Sequence, residues 1–252
     1  MRPASASPAR VMLAALLVVA PSAAAGSNLV VNGDFQTGAL APSISNYTPS
    51  ATMAPPDTWN IVSFDTLNSA WDDFYDNTFG DASGFYMIVN GSDAGAGPAW
   101  AQAVSVAPER EYTLAAYFAN AYPVDVASLE FRVDGVLVGE PFDAGETGVA
   151  GVWVRKAASF NSGGRTTVSA EIWDTNRLFS GNDYAIDDVS LSLWTCGIAD
   201  LAPPFGLLDL ADVTTFVAGF LASDPLADLD DSGLFDLTDV TLFVTSFLGG
   251  CP

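Results

Sequence analysis

The stretch of residues 228–239 limits what this chain can fold into more than any other, because oxygen-bearing side chains recur in it at alternate positions around one glycine. Positions 1, 3, 5, 7, 9 and 12 of the stretch hold Asp228, Asp230, Ser232, Leu234, Asp236 and Asp239. Gly233 is at the sixth position, where glycine permits the positive φ of a sharp turn. A loop with this spacing supplies a calcium ion with side-chain oxygens and one backbone carbonyl, here that of Leu234. The spacing therefore predicts a calcium site with these residues as ligands.

The same residues allow a second interpretation, in which no metal is bound. The carboxylates of this stretch would repel one another unless a cation or water neutralised them, which favours calcium. Alternatively, they form an acidic surface loop that caps the following helix, with Asp236 as the N-cap. We expect calcium as the cofactor and keep the capped acidic loop as the alternative.

A second copy of the segment that starts at Gly233 lies upstream in the chain. Residues 206–221 and 233–248 are identical at 11 of 16 positions when they are offset by 27. In the first copy, apolar residues at 210, 213, 216, 217, 220 and 221 have the spacing of one helical face. The duplication therefore predicts two helices that bury their apolar faces against each other.

A duplicated loop-and-helix unit with aspartate at the twelfth loop position resembles the dockerin module. The resemblance covers residues 196–252, and it implies two calcium loops that each precede one helix and lack the entering helix of an EF-hand. Pro225, just before the second loop, fits the missing entering helix. The resemblance also implies that the partner of this tail is a cohesin.

The residues that dockerins use for recognition differ in this chain. Dockerins usually carry Ser/Thr pairs at loop positions 10 and 11 with basic residues nearby, whereas here these positions are Leu210-Ala211 and Leu237-Thr238. The tail has nine aspartates and no Lys or Arg. The expected partner is therefore left open between a cohesin-like protein and a different surface or sorting receptor.

The first loop, residues 200–212, departs from the calcium pattern. It is one residue longer than the second loop and has Ala, Pro and Phe where the third and fifth ligands are expected. We infer that the rigid Pro203-Pro204 pair and a buried Phe205 ring replace the ordering that calcium supplies in the second loop. The possible calcium ligands of the first loop are Asp200, Asp209 and Asp212.

Cys196 and Cys251 are the two cysteines of the chain, and they bracket the duplicated segment. Two cysteines in an exported protein are expected to pair. A disulfide between them would close the ends of the helical tail and stabilise it by about 4 kcal/mol in the chain-entropy model. This Cys-bracketed arrangement resembles dockerin-like tails at the ends of secreted bacterial proteins.

Residues 1–25 have the pattern of a secretory signal peptide. Arg2 and Arg10 precede or begin an apolar run that is too short to span a bilayer, and small residues follow it before Gly26. We therefore expect a secreted bacterial protein, either extracellular or at the cell surface, that does not span the membrane. Removal of the signal leaves 30 acidic and 6 basic residues, a balance that disfavours nucleic acid and anionic membranes as partners.

The region 27–194 has short β-rich segments separated by Gly, Asn, Asp and Pro, and no convincing helical pattern. Alternating apolar residues such as Val189, Leu191 and Leu193 indicate strands with one buried face. The predicted fold class is mainly β, an antiparallel β-sandwich (jelly roll) followed by a small all-α helix pair. The predicted strands are 28–31, 58–64, 84–90, 100–106, 111–118, 128–138 as a hairpin turned at Asp134-Gly135, 151–160, 165–173 and 184–193.

Three motifs of this region resemble those of carbohydrate-binding modules. They are Asn28-Leu-Val-Val-Asn-Gly-Asp-Phe35, Trp100-Ala-Gln102 and Tyr184-Ala-Ile-Asp-Asp-Val-Ser-Leu191. The resemblance implies a galactose-binding-like jelly roll with polysaccharide as its partner. It also implies a structural calcium between the first and last strands, although Gln36 occupies the position where an acid is usual.

Asp187 is the candidate ligand for this second calcium. It shares strand parity with Val189 and Leu191, so its carboxylate is expected to point inward, where an unpaired charge is costly. A cation would satisfy the carboxylate. Backbone donors or a solvated strand end are the alternatives.

Trp71 and Tyr75 are the candidate sugar-binding residues. They lie in an acidic aromatic stretch, residues 71–77, whose rings and carboxylates suit the faces and hydroxyls of a pyranose. The alternative is that these rings pack in the core, as Trp and Tyr usually do in sandwiches. Trp153 and Trp173, inside predicted strands, are assigned to the core.

Catalysis has little support in the sequence. The chain has no histidine, which excludes Ser-His and Cys-His nucleophiles and histidine-rich zinc sites. Glycoside hydrolysis needs only a pair of carboxylates, but no Glu has a recognisable acid or base setting. We expect a non-catalytic protein that docks through its tail and binds polysaccharide through its sandwich. The alternatives are a structural cell-envelope or matrix protein without a sugar ligand, and a polysaccharide-degrading enzyme.

Overall fold

The structure is a computed structural model that describes residues 28–93, 95, 97–122, 124–175, 181–194, 196–203, 205–230 and 232–251. The expected signal peptide, residues 1–25, lies outside the described residues. Within the described ranges, the chain forms a β-sandwich of two sheets followed by a pair of helices. The prediction of a mainly β chain with a final helix pair is confirmed.

The strands of the sandwich are β1 (Thr48–Pro49), β2 (Thr58–Val62), β3 (Tyr86–Asn90), β4 (Pro98–Ser105), β5 (Glu111–Asn120), β6 (Ser128–Val133), β7 (Val136–Asp143), β8 (Val154–Asn161), β9 (Thr167–Asp174) and β10 (Tyr184–Leu193). The larger sheet has the order β1-β2-β3-β10-β5-β8, and the smaller sheet has the order β4-β9-β6-β7. β1 and β2 are parallel. The other strand pairs are antiparallel.

The main core lies between the two sheets and is filled by alternate residues of their strands. In β6 the buried positions are Leu129, Phe131 and Val133, while the residues between them are only half-buried. The ring of Phe131 lies 5.9 Å from that of Phe118 and 4.8 Å from that of Phe142. These contacts join both sheets, which is why the period-2 pattern of the sequence specifies a sandwich.

The predicted hairpin is confirmed, and its turn residues explain it. Asp134 and Gly135 have φ values of 52° and 77° between β6 and β7, and this positive pair suits the twist of a tight hairpin.

Residues 28–31, predicted as the first strand, do not form one. Leu29 N donates to Leu191 O at 2.8 Å, but Val31 exchanges its backbone hydrogen bonds with the side-chain amide of Gln102. Side chains thus replace the ladder that a strand would make. The prediction of a strand at residues 28–31 was wrong, because the apolar pattern does not show whether the backbone N–H and C=O groups bond to another strand or to side chains.

A second apolar cluster covers the outer face of the larger sheet. Trp71 and Phe74, from the long segment between β2 and β3, pack there on Tyr86 and Ile88 of β3. The rings of Phe74 and Tyr86 lie 5.1 Å apart and nearly parallel. The larger sheet is therefore buried on both faces in its centre, which explains why every residue of β3 is buried.

The tail contains α1 (Leu210–Ala222), a short 3₁₀ helix (Pro225–Ala227) and α2 (Leu237–Gly249). Phe216 and Phe243, one from each helix at equivalent positions of the duplication, stack with ring centroids 4.2 Å apart. Cys196 and Cys251 form the predicted disulfide. No helix in the described ranges is long and apolar enough to cross a bilayer.

Candidate functional site

The second loop brings three carboxylates together. Ligand atoms of Asp228, Asp230 and Asp239 all lie within 4.8 Å of one another, and this is the only such group of potential metal-ligating side chains in the described part of the chain. Two more predicted ligands are adjacent to each other, because Ser232 Oγ lies 3.4 Å from the carbonyl oxygen of Leu234. Three of the six predicted ligands therefore converge, although they are spread over twelve positions of sequence.

Backbone N–H groups of the loop fix its first carboxylate. Asp228 Oδ1 accepts a hydrogen bond from Ser232 N at 3.1 Å, and Oδ2 accepts one from Gly233 N at 2.8 Å. Gly233 has a φ of 77°, and no heavy atom lies within 4 Å of where a Cβ would be. The glycine is therefore required by backbone conformation and not by crowding.

The start of α2 fixes the last carboxylate of the loop. Asp239 is fully buried, and its Oδ1 and Oδ2 accept hydrogen bonds from Leu229 N and Asp236 N at 2.8 and 2.9 Å. Asp236 is the N-cap of α2, and its Oδ1 accepts a hydrogen bond from Thr238 N at 2.7 Å. This bonding to Thr238 lowers the pKa of Asp236. Asp236 also accepts from the backbone N–H of Asp239, so it has the capping role of the metal-free interpretation.

The three aspartates of the first loop have other partners and do not form a metal-type group. Asp212 is fully buried and accepts hydrogen bonds from Leu201 N, Ala202 N and Asp209 N, each at 2.8 Å. Asp209 is the N-cap of α1, with its Oδ1 bonded to Ala211 N. Pro204, part of the predicted rigid pair, lies outside the described residues.

Asp187 is fully buried, as its strand parity predicts, and backbone donors surround it. Its Oδ2 accepts hydrogen bonds from Asn77 N and Thr78 N at 2.8 and 3.3 Å, and its Oδ1 accepts one from Asp188 N at 2.8 Å. Burial, with the nearby Asp188 carboxylate, raises the pKa of Asp187 to about 8, although these hydrogen bonds lower it. Both oxygens of Asp187 thus have backbone donors of the kind that the alternative names.

Gln36, at the position where an acid is usual, is tied to a second buried carboxylate. Its Nε2 donates to Asp76 Oδ2 and to Phe85 O, both at 3.3 Å. Asp76 also accepts hydrogen bonds from Phe79 N and Gly80 N. The backbone of residues 77–80 therefore supplies the two carboxylates, Asp76 and Asp187, with four N–H donors.

The structure corrects the sugar-contact prediction for Trp71. Its side chain is only 8% exposed, lies in the second apolar cluster, and donates from Nε1 to Asp183 Oδ2 at 3.0 Å. Burial raises the pKa of this Asp183 carboxyl to about 6. The Trp71 ring therefore has no free face for a sugar. Tyr75 is 43% exposed and contacts Phe64, with ring centroids 4.8 Å apart.

Trp173 is the residue that the sequence interpretation missed, because it was assigned to the core. Its neighbours Ala170 and Ile172 point into the core, whereas Trp173 is half-buried on the opposite, outer face of the smaller sheet. Trp173 Nε1 donates to Glu171 Oε2 at 2.7 Å, and the guanidinium carbon of Arg132 lies 4.4 Å from the ring centroid. Arg132 in turn forms an ion pair with Glu130 at 2.8 Å. Strand parity could have identified this outward group.

Trp153 packs in an apolar cluster, as predicted, but in the second cluster on the outer face of the larger sheet and not in the main core between the sheets. Its ring makes edge contacts with Phe74 and Tyr86, at 5.9 and 5.7 Å between centroids, and its Nε1 donates to Tyr75 O. Trp153 therefore helps to hold the segment between β2 and β3 on the sheet.

Each helix of the tail also carries an exposed apolar stripe on the face away from its partner. The residues of these stripes correspond between the two copies and recur at helical spacings of seven and four, so each set shares one face. The α1 stripe contains Leu210, Val217 and Leu221, and the α2 stripe contains Leu237, Val244 and Leu248.

Comparison with known proteins gives likeness of fold only. Neither a protein-family model nor a curated protein matches the chain. The tandem CBM22-1-CBM22-2 domain of Xyn10C from Paenibacillus barcinonensis is 13% identical with a TM-score of 0.48, and the match covers 69% of this chain and 47% of that one. The chain thus spans about half of that tandem.

Two single modules also resemble the chain. A family 16 carbohydrate binding module is 18% identical with a TM-score of 0.38, and the match covers 65% of this chain and 99% of that one. TmCBM61, in complex with β-1,4-galactotriose, is 14% identical with a TM-score of 0.37, at 67% and 99% coverage. Similarities this weak carry no conclusion about ligand or activity.

Proposed function

We propose that this chain is an exported, non-catalytic protein whose tail binds one calcium ion in the loop 228–239 and docks on a partner protein. The observation that carries the proposal is the convergence of Asp228, Asp230 and Asp239. In this proposal the tail attaches the protein to its partner, and the sandwich binds polysaccharide.

The donor set of the second loop fits calcium. Its groups are carboxylates, a hydroxyl and a backbone carbonyl, which are hard oxygen ligands, and neither Cys nor His is among them. Calcium, when bound, supplies the positive charge that lets these carboxylates lie close together. The chain itself contributes the buried Asp239, which is oriented before any ion arrives by its bonds to Leu229 N and Asp236 N.

The two apolar stripes of the tail support a docking role. Exposed leucines recur on both helices, so each helix offers one apolar stripe to a partner. The surrounding tail carries nine aspartates and no Lys or Arg. The partner surface that complements it is therefore apolar in the middle and basic at the rim. A cohesin-like module with those properties is one candidate, and a different surface or sorting receptor is the other.

The outer face of the smaller sheet supports polysaccharide binding. Trp173 is half-buried beside Glu171 and Arg132, a combination of an aromatic ring with charged groups that can bond hydroxyls. The competing function is a structural envelope or matrix protein, for which the Arg132 contact with Trp173 is only internal packing. A glycan array on the full chain separates them. Oligosaccharide binding that Trp173→Ala abolishes and Tyr75→Ala retains favours the first, and no binding favours the second.

A calorimetric calcium titration of the full chain tests the main proposal. We expect one site that is lost in Asp228→Ala and retained in Asp143→Ala, which removes an exposed carboxylate of β7. An unchanged titration in Asp228→Ala, or no heat of binding in the unmodified chain, contradicts the proposal. In the calcium-loaded state, binding to a cohesin module that is lost in Leu248→Ser identifies the partner class, whereas no binding leaves the other receptor.

A further inference from the structure

The first loop of the tail lies against the sandwich. The guanidinium carbon of Arg110, in the turn before β5, is 3.0 Å from the centroid of the Phe205 ring. The next residue, Gly206, packs so closely on Trp194 that any side chain at this position would collide with the indole ring. Phe205 and Gly206 occupy the part of the loop where a calcium loop carries ligands and its turn. This part of the loop is therefore an internal contact surface.

The backbone around Arg110 is held in place by hydrogen bonds within the sandwich. Arg110 N donates to Ser162 Oγ at 2.9 Å, and Ser162 N donates to Arg110 O at 2.8 Å. Trp194 N donates to Glu111 O at 2.9 Å, which ties the last residue of the sandwich to β5. The sandwich thus presents Arg110 and Trp194 side by side on a rigid edge.

Asp200, at the first position of the loop, has one carboxylate oxygen that accepts hydrogen bonds from the described part of the chain and one that does not. It is only 6% exposed, and its Oδ2 accepts hydrogen bonds from Cys196 N and Gly206 N at 3.1 and 2.7 Å. Its Oδ1 is buried without a hydrogen bond to any of the described residues. A buried carboxylate in this state is costly, and a nearby positive charge lowers the cost. The equivalent Asp228 of the second loop has hydrogen bonds to both oxygens.

Arg110 brings a positive charge close to Asp200, because its guanidinium stacks on Phe205 and the N–H of the next residue, Gly206, donates to Asp200 Oδ2 at 2.7 Å. The tail, residues 196–252, has no Lys or Arg, so a side-chain cation for Asp200 has to come from the sandwich. Burial lowers the pKa of the half-buried Arg110, and the field of Asp200 raises it. The ion pairs among the described residues are Arg132–Glu130 and Arg165–Asp134, so Arg110 acts on Asp200 through space and not by a direct contact.

We propose that Arg110 does for the first loop what calcium does for the second: it supplies the cation, while stacking on Phe205 holds the loop against the sandwich. The partner of the first loop is therefore the chain's own sandwich and not a metal. The tail is fixed to the sandwich at this loop, and it takes up a single calcium ion. Order in the first loop does not depend on calcium.

Hydrogen exchange of the full chain in the presence of a chelator tests this proposal. The amides of Cys196 and Gly206, which bond to Asp200, are the probes. We expect Arg110→Ala to reduce their protection by about tenfold or more, as a partly desolvated cation–π contact and a lost charge predict. Arg155→Ala, which removes an exposed arginine of β8, is the matched control and leaves their protection unchanged.

Two further variants separate charge from stacking. Arg110→Lys keeps the charge without the planar guanidinium, so it retains part of the protection. Phe205→Leu keeps apolar volume without the aromatic face, and its effect adds little to that of Arg110→Ala in the double variant because both remove the same contact. Full additivity of the two, or unchanged protection in Arg110→Ala, overturns the proposal.

A calcium titration of Asp200→Asn completes the test. We expect the single site of the second loop to remain. Two sites in the unmodified chain, one of them lost in Asp200→Asn, would show that the first loop binds metal and would also overturn the proposal. The Asp228→Ala titration reports separately on the second loop, so failure of the proposed function is distinguished from failure of this one.

Discussion

The two loops of the tail start from one duplicated sequence and reach different chemistry. Both end in the same capping box, with Asp209 and Asp212 at α1 and Asp236 and Asp239 at α2. Their first aspartates differ, because Asp200 is buried against the sandwich whereas Asp228 lies in an open acidic loop. The helix start is thus the same in the two copies, whereas the hydrogen bonds of the first aspartate differ.

The comparison also shows which loop positions the two copies share and which they do not. The last aspartate of each loop is fully buried and accepts backbone N–H groups, with or without carboxylates around it. That residue is therefore needed for helix capping in both copies. The third and fifth positions distinguish the loops, since only the second loop has Asp230 and Ser232 there.

The largest effect that we expect comes from the disulfide, which joins the residues just before the first loop to those just after α2. Cys196→Ala with Cys251→Ala removes a covalent closure over a sequence separation of 55 residues. The free energy of unfolding of the tail should fall by about 4 kcal/mol in chelator. Calcium restores amide protection in the second loop of this variant but not in the first. Hydrogen exchange with and without calcium measures the amide protection of both loops. Equal recovery of protection in the two loops would contradict the distinction between them.

Removing the last aspartate of each loop should give the next largest effect. Asp212→Ala and Asp239→Ala each leave two or more backbone N–H groups, most of them part-buried, without an acceptor. We expect a loss of about 3 kcal/mol from either variant in chelator. With saturating calcium, Asp239→Ala falls further behind the unmodified chain, while the deficit of Asp212→Ala is unchanged. Denaturant unfolding in the two conditions tests this, and a calcium-dependent deficit in Asp212→Ala would contradict it.

The turn glycines separate crowding from backbone conformation. Gly206 and Gly233 have φ values of 86° and 77°, but only Gly206 faces a side chain, that of Trp194. We expect Gly206→Ala to cost about 3 kcal/mol, from strain and collision together, and Gly233→Ala about 1 kcal/mol. Thermal unfolding of both variants measures the difference. Equal losses would mean that the contact of the first loop with Trp194 is not maintained in solution.

The smallest effects should come from the apolar stripes. Leu221→Ser and Leu248→Ser change exposed side chains at the ends of α1 and α2. Both should alter the free energy of unfolding by no more than about 0.5 kcal/mol. Denaturant titration checks this result. A larger loss at Leu221 alone would show that the sandwich covers α1, so that only α2 is left for a partner.

The secondary structure of the tail was easier to predict from the sequence than the contacts between the tail and the sandwich. Its helices follow from the duplicated apolar spacing, and the capped starts follow from Asp209 and Asp236, since these are local properties of the sequence. The contact between Arg110 and Phe205 joins residues 95 positions apart in the sequence. No periodicity reports such a pair, so the sequence indicated only that something replaces calcium in the first loop.

The sandwich shows the same limit in its aromatic residues. Parity placed Asp187 inside correctly, and the same rule applied to Trp173 would have placed it outside, next to Glu171. The general preference of tryptophan for cores overrode that rule and gave the wrong assignment. Trp71 failed for a different reason, because the segment that carries it folds over the sheet and buries the ring. Composition does not reveal which loops cover a sheet.

The turn at residues 77–80 has a consequence for how the molecule melts. Its four backbone N–H groups satisfy Asp76 and Asp187, so the sandwich contains its own counterpart to a structural ion. Among the described residues of the second loop, Asp230 accepts a backbone hydrogen bond only from Ser232 N. In a calorimetric scan the melting of the sandwich should therefore stay at one temperature when a chelator is added. A lower melting temperature in chelator should be confined to the endotherm of the tail.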